Sequence, residues 1–148
     1  MKKLLLNETE ISFPAQSVNE SFARYAVSAF CAQADPTIEE LTDIRTAVSE
    51  AVTNAIVHGY RNTPNGVVYI RVRVFDNRSI QIRVRDKGCG IRDIRQAMTP
   101  LFTTDPCGER GGMGFSIMES FTDDLIVRSS IGKGTTVIME KHLREDAQ

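Results

Sequence analysis

Glu50 and Asn54 form the first pair of side chains whose types and spacing suit chemistry. They stand four residues apart, so a helix places them one turn apart on the same face. A carboxylate can accept a proton from a nucleophile, and an amide oxygen is a hard ligand suited to Mg²⁺. Taken alone, the pair is more typical of a solvated helix face.

Asp86 opens a second group, Asp86-Lys87-Gly88-Cys89-Gly90, at the end of a predicted strand. The carboxylate offers an acceptor for an exocyclic amine. Gly88 and Gly90 would let a flat ring approach the backbone closely, because they carry no side chain. An ordinary turn after a strand explains the same residues equally well.

The third group is the glycine-rich run Gly108-Glu109-Arg110-Gly111-Gly112-Met113-Gly114, which precedes an apolar helical pattern. Glycines at a helix N-terminus present backbone N–H groups to a phosphate, and Arg110 adds a charge-assisted contact. The run lacks the Gly-Lys-Ser/Thr of a P-loop. A glycine-rich run by itself also fits a flexible linker.

The helix that must position Glu50 and Asn54 is predicted from Ile38 to Val57. Thr37 and Glu40 form a capping box at its start, and Gly59 is a favoured residue after its end. His58 continues the stripe of Glu50 and Asn54, and a supporting role is more typical of it than phosphate acceptance. An earlier helix is expected from Ser17 to Gln33, with an apolar face that includes Phe22, Tyr25 and Phe30, and with Arg24 on the opposite, exposed face.

Two hairpins supply the predicted sheet. Residues 68–74 and 80–84 alternate apolar and polar side chains on either side of a turn at Asp76-Asn77, and residues 125–131 and 135–139 flank Gly132-Lys133-Gly134. A short edge strand is expected over Glu10–Pro14, where proline ends it. Helices covering one face of a mostly antiparallel sheet give an α+β fold, a two-layer α/β sandwich.

Composition limits the class of protein. The 148 residues fit one domain, 1–148, and 41% hydrophobic with 25% charged residues is ordinary for a globular chain. A net charge of −1 gives no general attraction to nucleic acid or anionic lipid. The three cysteines show neither a disulfide framework nor metal-site spacing, and no apolar run is long enough to span a membrane. We therefore expect a soluble cytoplasmic protein that contacts neither nucleic acid nor membrane.

The order of the three groups along the chain indicates a family that no single group indicates by itself. Helical Glu-x-x-x-Asn, then strand-end Asp-x-Gly-x-Gly, then Gly-x-Gly before a helix resembles the N-box and the two glycine boxes of the GHKL superfamily of gyrases, chaperones, histidine kinases and mismatch-repair proteins. The resemblance implies the GHKL ATP-binding fold, with ATP or ADP and Mg²⁺ as ligands. It makes Glu50 the general base and Asn54 the Mg²⁺ ligand. The residues that it implies for nucleotide binding are Asn54, Asp86, Gly88, Gly90, Thr104, Arg110, Gly112, Gly114, and Thr135 or Thr136.

Three segments narrow the resemblance to the anti-sigma kinase branch: residues 19–24, residues 48–60 and residues 100–104. That branch implies a serine kinase that phosphorylates an anti-anti-sigma partner, holds a sporulation sigma factor inactive and forms a homodimer. Arg24 is then a partner-contact residue. Where Gly111 stands, the family often has serine, so the phosphate contacts of the loop are less defined.

Two other functions stay open. One is a non-catalytic module in which nucleotide only switches the affinity for a sigma factor, although such a switch needs no base at Glu50. The other is a detached catalytic domain of a histidine kinase, although no phosphoacceptor histidine precedes the N-box.

Overall fold

A five-stranded sheet carries part of the candidate site. In the computed structural model, which describes residues 3–63, 65–98 and 114–144, five antiparallel strands lie in the order β1-β2-β3-β5-β4. Their bounds are β1 Leu5–Pro14, β2 Val67–Phe75, β3 Ser79–Asp86, β4 Asp124–Ser130 and β5 Gly134–His142. Both predicted hairpins are confirmed, and β1 is an edge strand as expected, although it starts five residues earlier than predicted.

The helices lie on one face of this sheet. They are α1 Asn19–Cys31, α2 Ile38–Asn54, α3 Ile94–Ala97 and α4 Gly114–Ser120, with a 3₁₀ turn at Ala32–Ala34 and a π-helical turn at Ala55–Gly59. The strands bury alternate side chains against the helices, among them Ile70, Ile82 and Met139. The predicted α+β two-layer sandwich is confirmed.

The start of α2 is fixed by its capping box. The Thr37 hydroxyl accepts a hydrogen bond from the Glu40 amide at 3.0 Å, and the Glu40 carboxylate accepts one from the Thr37 amide at 2.9 Å. The second carboxylate oxygen of Glu40 accepts the backbone amide of Arg144 at 2.8 Å, so the same side chain ties α2 to the segment after β5. The prediction of this cap from Thr37 and Glu40 is confirmed.

The predicted apolar face of α1 is confirmed at Phe30, which packs against the core, and is wrong at Phe22 and Tyr25. The residues buried against the rest of the fold are Ala23, Val27, Ser28 and Cys31, whereas Phe22 and Tyr25 are 53% and 55% exposed. The small side chains let α1 approach α2 closely, which a face of large aromatics would prevent. Arg24 is consequently not on the opposite face: it is half-buried at the junction of α1 and α2.

The helices of the described ranges are all too short or too polar to cross a membrane.

Candidate functional site

Asp86 is the best-enclosed ionisable side chain of the site. It ends β3, is only 3% exposed, and its Oδ1 accepts the backbone amide of Gly88 at 2.9 Å. Burial raises the pKa of Asp86, and hydrogen bonds from the backbone amides of Gly88 and Thr135 partly oppose that rise. The carboxylate is a fixed acceptor held at the end of a strand.

Glycines allow the backbone to close around Asp86. A Cβ added at Gly59 would lie 2.7 Å from the Asp86 carboxylate, and one added at Gly88 would lie 1.9 Å from the carbonyl oxygen of Gly59. Gly90 has φ +80° and lies directly against the carbonyl oxygen of Ser130. Gly88 and Gly90 therefore let protein segments approach one another. Their part in admitting a purine ring stays a prediction.

Thr135 and Thr136 lie on opposite faces of the sheet. Thr135 is the cross-strand partner of Asp86, it is buried, and its hydroxyl lies 2.8 Å from the Ser129 hydroxyl. Thr136 pairs with Arg85 and points to the open face, because successive strand residues alternate. Of the two threonines, only Thr135 is brought to the Asp86 region.

Glu50 and Asn54 lie on α2, both half-buried. A Cβ added at Gly114, the first residue of α4, would lie 3.8 Å from Oε1 of Glu50, so the end of the glycine-rich segment adjoins this carboxylate. The Asn54 carboxamide makes no hydrogen bond to any other side chain or backbone group in the described ranges, which leaves its oxygen available as a ligand.

The π-helical turn joins the two halves of the site. It begins after Asn54 and closes with a hydrogen bond from the Tyr60 amide to the Ala55 carbonyl at 2.9 Å. Such wide turns occur frequently at functional sites. The turn brings Gly59 against Asp86, so one continuous segment links Glu50 and Asn54 to the Asp86 carboxylate. It also ends the regular α-helix at Asn54, three residues before the predicted end at Val57.

Two residues that organise this region carry no signal for that role in the sequence. The Tyr60 hydroxyl donates to the Val67 carbonyl at 2.6 Å and accepts the Lys87 amide at 2.7 Å, which fixes the chain just after Asp86. The Ser129 hydroxyl accepts the Ile91 amide at 2.7 Å. Tyr60 ends the family-like segment 48–60 but had no assigned role, and Ser129 stands in no motif, so only the fold reveals what the two hydroxyls do.

Several predicted residues lie outside the described ranges: Thr104, Arg110, Gly111 and Gly112. Among the described residues, Gly114 adjoins Glu50, and Gly88 and Thr135 adjoin Asp86. The segment from Glu50 to Gly59 connects these two groups.

Arg24 lies beside a carboxylate that links α1 to α2. Its Nη1 is 3.4 Å from Oε1 of Glu20, and that same oxygen accepts the Ser49 hydroxyl at 2.9 Å. The other oxygen of Glu20 accepts the Thr53 hydroxyl. Because Thr53 precedes Asn54 and Ser49 precedes Glu50, Glu20 connects the surroundings of Arg24 to the helix that carries the candidate catalytic pair.

The residues present fit a nucleotide and its metal ion. The Asp86 carboxylate is an acceptor held beside the backbone of Gly59 and Gly88, and an acceptor of this kind suits the amine of a purine ring. Mg²⁺ is usually held by one or two protein oxygens together with substrate phosphates, and Asn54 offers one such oxygen.

Comparisons with known proteins identify the family of this chain. Residues 13–141 match the family model described as Histidine kinase-like ATPase domain. The chain is 58% identical over 137 residues to a protein named Anti-sigma F factor from Geobacillus thermodenitrificans, with 93% of each chain covered. It is 53% identical over 138 residues to an Anti-sigma F factor from Clostridium novyi, covering 93% of this chain and 96% of that one.

Solved structures share the fold. The RsbU and RsbW domains of a Mycobacterium tuberculosis protein match with a TM-score of 0.70 at 18% identity, covering 96% of this chain and 34% of that chain. The mycobacterial sensor histidine kinase MprB matches with a TM-score of 0.58 at 15% identity, covering 93% and 100% of the two chains. The site geometry, the family model and the relatives together show that the chain belongs to the anti-sigma F factor family of histidine kinase-like ATPase domains.

Proposed function

We propose that this protein is an ATP-dependent serine-protein kinase and an anti-sigma factor, and that residues 1–148 form a single domain for both activities. The observation that carries the proposal is the continuous segment from Glu50 to Gly59. It holds a candidate base beside Gly114 at one end and contacts the buried Asp86 at the other. A nucleoside triphosphate lying along this segment would have its purine at Asp86 and its phosphates near Asn54 and Glu50.

Each residue has a distinct part in the reaction. Asp86 accepts a hydrogen bond from the adenine amine, and Asn54 would hold Mg²⁺, which would supply neutralisation of the phosphate charge. Glu50 takes the proton of the substrate serine. The serine oxygen then bonds to the γ-phosphorus, the bond from that phosphorus to the β–γ bridging oxygen breaks, and the products are phosphoserine and ADP.

The proposed partners follow from the relatives, which are named for anti-sigma F activity. We propose that a sporulation sigma factor of the sigma F type is sequestered, that an anti-anti-sigma protein is the phosphorylated substrate, and that the protein acts as a cytoplasmic homodimer. Arg24 is the proposed partner-contact residue, and its half-buried guanidinium beside Glu20 supports a defined orientation for that contact.

The test is incubation of the purified protein with Mg²⁺ and γ-labelled ATP, together with an anti-anti-sigma protein. Acid-stable label on a serine of the added protein is the expected result. Acid-labile label would favour a histidine-kinase domain. Nucleotide binding without any transfer would favour a non-catalytic switch that only alters affinity for the sigma factor.

A further inference from the structure

A polar groove of about 350 Å³ runs between α1 and α2 and ends at the candidate base. Arg24 and Tyr25 line it from α1. Arg45, Thr46 and Ser49 line it from α2, and Glu50 stands at one end. The groove therefore joins the surface around Arg24 to the place where the substrate serine must react.

Arg45 brings a positive charge to this groove. Its Nε donates to the Ser28 hydroxyl at 3.1 Å, and its guanidinium lies 5.6 Å from the centre of the Tyr25 ring. Within residues 3–63, 65–98 and 114–144, no carboxylate forms an ion pair with it. By contrast, Arg24 already shares the carboxylate of Glu20.

The surroundings hold Arg45 in a defined orientation. The hydrogen bond from Nε and the contact with the Tyr25 ring restrict the guanidinium, and both leave the terminal nitrogens free to donate. A planar guanidinium held in this way suits a carboxylate, which it can bind through two parallel hydrogen bonds.

Spacing along α2 relates this charge to the reacting serine. Arg45 and Glu50 are five residues apart, which corresponds to roughly 7.5 Å along the helix axis at about 1.5 Å per residue. An extended peptide advances about 3.3 Å per residue. The two side chains also differ by roughly 140° around the helix, so a carboxylate at Arg45 and a serine at Glu50 are separated by at least two residues of substrate.

We propose that the groove is a substrate subsite in which Arg45 binds an acidic side chain at least two residues from the phosphorylated serine. The inference rests on the proposed kinase function and adds to it a determinant of substrate specificity. It makes Arg45, together with the ring of Tyr25, a recognition element distinct from Arg24.

The test compares Arg45→Gln with wild-type protein in phosphotransfer to an anti-anti-sigma protein. Glutamine keeps a polar side chain and removes the charge, so we expect the KM for the protein substrate to rise about tenfold, as for the loss of one charged hydrogen-bonded pair. The kcat and the affinity for ATP should stay unchanged. Arg85→Gln, which removes the same charge from an exposed position on the open face of the sheet, is the matched control and should leave KM unchanged.

The substrate provides the second half of the experiment. Acidic residues from two to about six positions away from its serine are changed singly to the corresponding amide. One of these changes should raise KM with the wild-type kinase and have no further effect with Arg45→Gln, because both remove the same contact. If Arg45→Gln does not fold, the substrate variants assayed with wild-type kinase still test the subsite.

Two results overturn the subsite while leaving the kinase intact: an unchanged KM for Arg45→Gln, or additive effects of the kinase and substrate changes. A complete lack of transfer by the wild-type protein would instead overturn the proposed function, and the subsite with it.

Discussion

The carboxylate of Asp86 packs directly against Gly59, the last residue of the π-helical turn, so closely that a Cβ on Gly59 would lie 2.7 Å from it. This contact joins the end of β3 to the segment that carries Glu50 and Asn54. Residues 27 positions apart in the chain are thereby brought into contact.

Replacing Asp86 with asparagine tests the proposed purine contact. The amide presents a donor where the carboxylate presents only acceptors, so we expect the affinity for ATP to fall by about 10–100-fold. Titration with a fluorescent ATP analogue measures the change. Asp124→Asn removes the same charge from the exposed start of β4 and should bind ATP normally. If wild-type protein, Asp86→Asn and Asp124→Asn bound ATP with equal affinity, Asp86 would not be a purine contact.

The pH dependence of stability tests the burial of the same carboxyl. Burial raises the pKa of Asp86 in the folded protein above its usual value of 3.8, so the folded state holds this proton more tightly than the unfolded state. Its contribution to stability is complete below pH 3.8 and is lost as the pH rises through the raised pKa. Denaturant unfolding should therefore show wild-type protein losing stability relative to Asp86→Asn across that interval. A relative gain would contradict the raised pKa.

Glu50→Gln separates the chemical step from nucleotide binding. The amide cannot take the serine proton, so we expect phosphotransfer to fall by roughly 10²–10⁴-fold while ATP affinity is retained. Single-turnover transfer of labelled phosphate measures the rate. Glu119→Gln, an exposed residue of α4, is the matched control. Full activity of Glu50→Gln would exclude Glu50 as the base.

Gly90 and Gly132 form a matched pair for testing close packing beside the site. Their φ values are +80° and +78°, so alanine causes similar backbone strain at both, about 1 kcal/mol. A Cβ at Gly90 would lie 2.2 Å from the Ser130 carbonyl oxygen, whereas one at Gly132 meets nothing within 4 Å. We expect Gly90→Ala to lower the free energy of unfolding by about 1–3 kcal/mol more than Gly132→Ala does. Equal losses in urea unfolding would mean that this contact can relax.

Glu40→Ala tests the cap that ties α2 to the end of the chain. Loss of the capping hydrogen bond and of the bond from the Arg144 amide should lower the free energy of unfolding by about 1–2 kcal/mol at neutral pH.

Lowering the pH should reduce that loss. Although burial by itself would raise the pKa of Glu40, hydrogen bonds from Arg144 and Thr37 hold it below its usual value of 4.5. The stabilisation from Glu40 is therefore present above pH 4.5 and disappears as the pH falls through the lowered pKa. Urea unfolding of both proteins over this range measures it, and a loss that grows with acidity would contradict the assignment.

The sequence by itself determined the elements whose signals are local. The capping box at Thr37 and Glu40 and the two alternating hairpins depend on residues a few positions apart, and the structure contains all of them. The order of the three motifs was sufficient to indicate the family, which the comparisons show. Local periodicity and turn chemistry act over short stretches of chain, so they can be read without the fold.

Only the tertiary structure decided what depends on packing between distant segments. It buried Ala23 and Cys31 of α1 and left Phe22 and Tyr25 exposed, because close approach to α2 requires small side chains. The pairing of β5 with β3 puts Thr135, and not Thr136, next to Asp86. The fold also packs Gly59 against Asp86. Helical periodicity cannot tell which of two faces finds a partner, since that choice is made by contacts between elements far apart in the chain.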